Sequence, residues 1–269
     1  MKLTQQLHRV NFCKLCIALL LVTAVISCQK ELHFDAEPQK EHNLILKFKP
    51  VVLYDSVPLV LGQTYTNNFK EPFTPTAFKF YIHNFQMINT DSGKTFELAN
   101  DKYYLVDFSD SASTEIKIAI QPYVYNRIKF TIGVDSADNV NAGAQIDALD
   151  PARGMFWNTT TGYIMAKLEG TSPRSPQGGK FEYHIGGFTA AESVIREIPL
   201  LFPYGQNLDL KPGGESQMFI TCDANDWFYN PWDIKISQTP VVNGPGELAR
   251  QVAENYSKMF TVDSVYNGQ

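Results

Sequence analysis

The feature that most constrains the fold of this chain is a series of short apolar segments separated by turn residues. The longest, residues 77–88 (AFKFYIHNFQMI), places Phe78, Phe80 and Ile82 on one side of a strand, at the period of two typical of β-structure. Glycine and proline separate most segments, as in the Pro-Gly-Gly turn at 212–214. Many short strands at this spacing predict an all-β fold, an antiparallel β-sandwich.

The end of the chain has a different pattern. Residues 247–259 (ELARQVAENYSKM) repeat apolar side chains at Leu248, Val252, Tyr256 and Met259, which is helical spacing. We therefore expect one C-terminal amphipathic helix packed against the sandwich. No internal repeat or second composition regime is visible, so residues 43–269 are predicted to form a single domain.

The N-terminus has the pattern of a secretion signal. Basic residues precede an apolar run at 16–22, which is shorter than the roughly 20 residues needed to span a membrane. The sequence Val-Ile-Ser-Cys that ends at Cys28 matches a lipobox. We therefore predict a lipoprotein signal peptide at 1–27, a lipidated Cys28 and a flexible tether over 28–42. A plain signal peptide with a chance cysteine is the alternative.

This prediction has consequences for location and charge. Lipidation would anchor the protein in the cell envelope, at the outer membrane, on its periplasmic face or at the cell surface. Removal of the signal leaves Cys222 as a lone thiol, either a core residue or a soft ligand, so no intrachain disulfide is expected. The 28 acidic residues outnumber the 23 basic ones, three of which belong to the predicted signal, and this argues against nucleic acid as a partner.

Histidine is scarce in the predicted domain. Beyond the signal and tether only His83 and His184 remain, each inside a predicted strand. Neutral imidazole is the commonest transition-metal ligand, so the pair could form a metal site. Met87, four residues after His83, is predicted on the same strand face as a soft additional donor. The alternative is two unrelated histidines satisfied by hydrogen bonds.

Two other features leave alternatives open. The aromatic segment 226–233 carries Trp227, Tyr229 and Trp232, which could bind a glycan or a partner protein or could anchor loop ends in the core. The acidic segment 135–147 could ligate calcium through oxygen, but it lacks the EF-hand pattern, and an ordinary solvated loop is the favoured alternative. No catalytic motif is recognisable, and we expect no enzyme activity.

Several segments, taken in order, resemble the MbnP-like family of bacterial periplasmic and surface copper-binding proteins. The matching stretches are FKFYIHNF (78–85), YYLVD (103–107), FTIGVD (130–135), LDP (149–151) with GMFW (154–157), GYI (162–164) with KLEG (167–170), and FEYHIG (181–186). They cover most of residues 43–262.

The resemblance implies a β-sandwich that binds one copper ion through two histidines, with a tryptophan oxidised to kynurenine in characterised relatives. That oxidation is attributed to a partner di-haem peroxidase of the MauG type. Carried over by motif, the ligands fall on His83 and His184, and the modified residue on Trp157, with Trp227 as the fallback. Relatives often show W-x-W, whereas this chain has Trp157-Asn158-Thr159, which puts the modification in doubt.

The expected function follows from the resemblance together with the predicted anchor. We expect a lipid-anchored copper-binding protein for copper capture or handover, with Met87 or water completing a site that suits Cu(I) better than Cu(II). The alternative is a surface lipoprotein that binds a glycan or a partner protein through its aromatic loop.

Overall fold

A computed structural model describes residues 40–52, 57–98, 102–140 and 147–268, which belong to one compact unit, Gln39–Gln269. The predicted signal peptide, Cys28 and the tether up to residue 39 lie outside the described residues. Within the described ranges, no helix has the length and apolar character required to cross a membrane.

The regular structure of the fold consists mostly of strands. In chain order they are β1 (His42–Val52), β2 (Val57–Pro58), β3 (Tyr65–Thr66), β4 (Pro72–Asn89), β5 (Lys94–Glu97), β6 (Tyr104–Asp107), β7 (Glu115–Ile120), β8 (Val124–Tyr125), β9 (Arg127–Ile132), β10 (Phe156–Asn158), β11 (Gly162–Tyr163), β12 (Ala166–Thr171), β13 (Lys180–Ile185), β14 (Arg196–Leu201), β15 (Leu208–Asp209), β16 (Glu215–Asp223), β17 (Val241–Asn243) and β18 (Phe260–Tyr266). The helices are α1 (Ser136–Val140) and α2 (Glu247–Tyr256). The predicted all-β class is confirmed.

Two sheets form the sandwich. One has the order β18-β16-β1-β2, with β7 also paired to β1, and the larger has the order β14-β9-β4-β12-β13-β17. Most pairs are antiparallel, but β1 pairs with β16 and β13 with β17 in parallel. The sheets are therefore mixed. Alternation along a strand shows which side chains face the core, but it does not give the direction of the neighbouring strand, so the sequence did not distinguish mixed from antiparallel sheets.

Aromatic side chains from both sheets meet in the core. The Phe48 ring of β1 lies 6.1 Å from the Phe80 ring of β4 and 6.2 Å from the Phe130 ring of β9. Phe260 of β18 contacts the last two rings at 5.3 and 5.1 Å. The buried Cys222 thiol packs in the same core, so one of its two predicted roles, a core residue, fits its position.

The C-terminal helix is confirmed, and its buried face differs slightly from the prediction. Val252 and Tyr256 are fully buried against the sandwich, but Leu248 is 45% exposed. The chain then continues into β18, which pairs with β16. In chain order the helix therefore comes between β17 and β18, and it is not the last element of the fold.

A bulge in β4 decides which side chains can reach the outer face of the larger sheet. Asn84 has φ 54°, and the register of β4 against β9 shifts between His83 and Gln86. One inserted residue inverts the alternation, so Met87 packs in the main core while His83 stays on the opposite face. The predicted shared face of His83 and Met87 is therefore wrong.

The start of the domain also differs from the prediction. His42, placed in the flexible tether by the sequence, is the first residue of β1 and only 1% exposed. Its Nδ1 lies 2.7 Å from the Lys211 carbonyl oxygen, and its Nε2 lies 2.9 Å from Ser216 Oγ. This histidine fastens the first strand to the fold.

Candidate functional site

His83 lines an open cleft with a volume of about 800 Å³. Three aspartates share the wall of this cleft: Asp135, Asp138 and Asp147. Asp135 lies in the turn between β9 and α1, and Asp138 lies in α1, so the acidic segment noted in the sequence lies beside the first predicted ligand. We call this region the His83 cleft.

The imidazole is held between a carboxylate and an aromatic ring. His83 Nε2 lies 3.5 Å from Asp135 Oδ1, and the Tyr103 ring centroid lies 4.6 Å from that of the imidazole. The Tyr103 hydroxyl donates a hydrogen bond of 2.6 Å to Asp138 and accepts one of 3.1 Å from the Asp135 amide. Burial and the Asp138 carboxylate raise the pKa of Tyr103, so its hydroxyl stays protonated and keeps the two aspartates in place.

His184 lies in a second polar cluster, on the outer face of β13. Its Nε2 is 2.5 Å from Glu169 Oε1, and Lys167 Nζ is 3.3 Å from the same oxygen. The hydrogen bond from His184, aided by Lys167, lowers the pKa of Glu169 to about 2 against the opposing effect of burial. Because an ionised carboxylate only accepts, Nε2 carries the proton, and Nδ1 of a neutral ring keeps its lone pair.

Trp157 lies beside the strand that carries His184. The Trp157 ring packs on Gly186, where an added Cβ would overlap both the indole and the Tyr163 carbonyl oxygen. Its Nε1 donates a 2.9 Å hydrogen bond to Asn243 Oδ1, and Asn243 is the register partner of His184. The structure thus brings the motif-matched tryptophan near His184.

The two predicted histidine ligands are not brought together. His184 is opposite Lys167, and Lys167 is opposite Lys79 of β4, while His83 lies four residues further along β4. With strands about 4.8 Å apart and a rise of about 3.3 Å per residue, this register separates the two Cα atoms by about 16 Å. Metal–nitrogen bonds are about 2 Å long, so one ion does not reach both imidazoles across this distance.

A second apolar cluster occupies the outer face of the larger sheet. It is centred on Tyr81 and Tyr163, whose rings lie 5.9 Å apart, and Tyr103 and Trp157 pack at its edge. His83 lies beside Tyr103 and His184 lies near Trp157, so the two predicted ligands have separate polar surroundings at the edge of this cluster. Among the residues that the structure describes, no group of three His, Cys, Asp or Glu side chains is arranged to hold a metal ion.

The aromatic segment is mainly an anchor for the core. Trp227 is fully buried, with its ring 5.0 Å from that of Tyr256 on α2, so of its two predicted roles the core anchor fits its position and the exposed binding surface does not. The short 3-10 turn Ala224–Trp227, capped by Asp223, turns this ring inward. Tyr229 and Trp232 are 42% and 40% exposed, and they remain available to a partner.

Sequence reasoning missed several residues around the two histidines. Glu169 could have been found, because β12 and β13 alternate so that Lys167, Glu169 and His184 share the outer face. Tyr103 and Asn243 carry no comparable signal, because their contacts depend on strands that are distant in sequence.

The fold and its clefts define a class of protein: a mixed-sheet β-sandwich that carries a buried histidine beside carboxylates in an open cleft. The chain belongs to the MbnP family, whose sequence model matches residues 41–244. This membership is consistent with a copper-related function.

A solved structure supports the fold. The chain is similar to MbnP from Methylosinus trichosporium, with a TM-score of 0.51 and 16% sequence identity, over 84% of this chain and 99% of that one. At this identity the likeness concerns the fold alone. No curated protein sequence matches the chain.

Proposed function

We propose that this protein is a lipid-anchored copper-binding protein of the cell envelope, serving copper capture or handover without catalysis of its own. Family membership supports a copper-related role, and the predicted anchor on Cys28 would hold the domain outside the cytoplasm. The observation that carries the assignment of a site is His83, a buried imidazole at the wall of an open cleft with a carboxylate 3.5 Å away.

The donor set of the His83 cleft bears on the oxidation state. The expectation of Cu(I) assumed two histidines on one ion with Met87 or water, but the two histidines are not brought together and Met87 packs in the main core, on the other face of β4. Imidazole nitrogen with carboxylate oxygen is a combination that suits Cu(II). His83 and Asp135 would hold the ion, and water would complete its coordination.

His184 is the second candidate ligand position, and we propose that it acts separately from His83. Glu169 orients the ring through Nε2, which is how metal-bound histidines are commonly held by a neighbouring carboxylate. Trp157, half-buried beside this strand, is the residue we propose for oxidation by a MauG-type di-haem peroxidase. The intact mass of protein produced with and without that partner tests this step, and an unchanged mass in both samples would contradict it.

Copper titration of the mature lipoprotein in detergent tests the main proposal. We expect stoichiometric uptake of Cu(II) by the wild type and a loss of at least tenfold in affinity, about 1.4 kcal/mol, for His83→Ala. His184→Ala should retain this uptake at the His83 cleft, because the two histidine Cα atoms lie about 16 Å apart, and Asp91→Asn, at an exposed turn, is the matched control. Less than stoichiometric uptake by the wild type, or full uptake by His83→Ala, would overturn the assignment.

The anchor needs its own experiment. Cys28→Ala should abolish incorporation of labelled fatty acid and release the protein from the membrane fraction. Label that persists in this variant would contradict lipidation at Cys28.

The alternative function, glycan or partner binding, now depends on Tyr229 and Trp232, and a glycan array probed with the apo protein would test it.

A further inference from the structure

A second cleft, far in sequence from both histidines, contains an unusual pair of acidic side chains. It has a volume of about 210 Å³ and lies beside the 3-10 turn Ala224–Trp227, next to residues of β16 and β18. Its polar lining consists of Thr221, Asp223, Asp226, Asn230, Lys258, Thr261 and Asp263. Oxygen atoms dominate this set, and it contains neither histidine nor sulfur donors from cysteine.

The Asp226 carboxylate is the group whose surroundings indicate a ligand. Asp226 is 6% exposed and lines the cleft, yet within the described part of the chain no group donates a hydrogen bond to its carboxylate or forms an ion pair with it. Buried carboxylates are normally paired or hydrogen-bonded, because removing the charge from water is costly. A buried acid that faces a cleft in this state is suited to an external cation.

Asp223 adds a second carboxylate three residues earlier. It is also 6% exposed, and its Oδ1 accepts a 2.9 Å hydrogen bond from the Asn225 amide, which caps the turn. Burial and the charge of Asp223 raise the pKa of Asp226 to about 7, while Lys258 acts in the opposite direction. Lys258 Nζ itself lies 3.3 Å from Asn230 Oδ1, and no ion pair with Asp226 is formed.

We propose that this cleft binds a hard divalent cation, and that calcium is the ion it fits best. The Asp223 and Asp226 carboxylates would supply the charged ligands, with neutral oxygens of Thr221 and Asn230 and water completing the shell. Calcium accepts such mixed oxygen ligands in irregular geometry, whereas magnesium demands a near-ideal octahedron. Two buried carboxylates opposed by one lysine, with Asp263 exposed, indicate a weak site, with a dissociation constant of about 10⁻⁴ to 10⁻³ M, as in extracellular modules.

Thermal unfolding of the copper-free mature lipoprotein tests the proposal. Millimolar CaCl₂ should raise the Tm of the wild type by a few degrees relative to KCl at the same ionic strength. Asp226→Asn should lose this response, while its Tm in EDTA equals or exceeds that of the wild type. Asp91→Asn, at an exposed turn, is the matched control and should keep the full response.

A second variant should strengthen calcium binding. Lys258→Gln removes the one positive charge of the cleft from an exposed position, so it should fold normally and bind Ca²⁺ several-fold more tightly by calorimetry. No calcium response in the wild type, an equal response to KCl, or an undiminished response in Asp226→Asn would each overturn the proposal, as would unchanged affinity in Lys258→Gln. None of these results depends on copper binding at His83.

Discussion

His184 Nε2 and Glu169 Oε1 lie 2.5 Å apart on the outer face of two adjacent strands, and Lys167 approaches the same carboxylate. This contact joins β12 to β13 at the one register position where a histidine faces a lysine. It fixes the ring orientation of His184 whether or not a metal binds there.

Glu169→Gln should destabilise the protein in a pH-dependent way. The pKa of Glu169 is lowered to about 2 in the folded protein, against about 4.3 for an unperturbed glutamate. The stabilisation is therefore fully present above pH 4.3 and is lost as the pH falls towards 2. We expect Glu169→Gln to lower the free energy of unfolding by about 1–2 kcal/mol at pH 7, as measured by urea denaturation.

The same experiment at pH 3 should show a smaller difference between the variant and the wild type. Glu197→Gln is the matched control. The Glu197 side chain is 63% exposed, so its ion pair with Lys129 should contribute little to stability at either pH. An equal loss of stability at pH 7 and pH 3 would contradict the role of an ionised Glu169.

Asp226→Asn should stabilise the protein at high pH, in contrast to the destabilisation expected for Glu169→Gln. The unfolded aspartate loses its proton near pH 4, whereas the folded one holds it until about pH 7, so wild-type stability falls as the pH rises through this window. In EDTA, the variant should be more stable than the wild type by about 1–3 kcal/mol at pH 8 and nearly equal to it at pH 4. Urea denaturation at both pH values measures this, and a destabilised variant at pH 8 would refute it.

Gly186→Ala should disturb the tryptophan beside His184. The added Cβ would overlap the Trp157 ring and the Tyr163 carbonyl oxygen, so we expect a loss of about 2–3 kcal/mol and a shift in tryptophan fluorescence. Gly93→Ala separates this overlap from backbone strain, because Gly93 has φ 67° and open space around it. That control should cost about 1 kcal/mol without any spectral change, and similar results for both variants would argue against the packing of Trp157 on Gly186.

Trp227→Ala and Trp232→Ala should separate a core anchor from a surface residue. Trp227 is fully buried, and truncating such a ring costs about 3–5 kcal/mol, which chemical denaturation would detect. Trp232 is 40% exposed, and its Nε1 donates to Glu254, so its loss should cost about 1 kcal/mol. Comparable losses for the two variants would contradict the assignment of Trp227 to the core.

The sequence by itself determined the class of fold, the residues that face the core along most of β4, and the C-terminal helix. These features depend on local alternation of apolar side chains, which a strand or helix reproduces directly. The sequence also singled out His83 and His184, because few histidines are present, and it pointed to the MbnP family through the order of its segments.

The tertiary structure alone decided how these features are arranged. The bulge at Asn84 separated Met87 from His83, although four residues of regular strand would have kept them on one face. Strand order and register, at ideal strand spacing, place the Cα atoms of His83 and His184 about 16 Å apart on one sheet. Residues a hundred positions apart meet or miss each other according to strand pairing, and the period of a single strand contains no information about its neighbours.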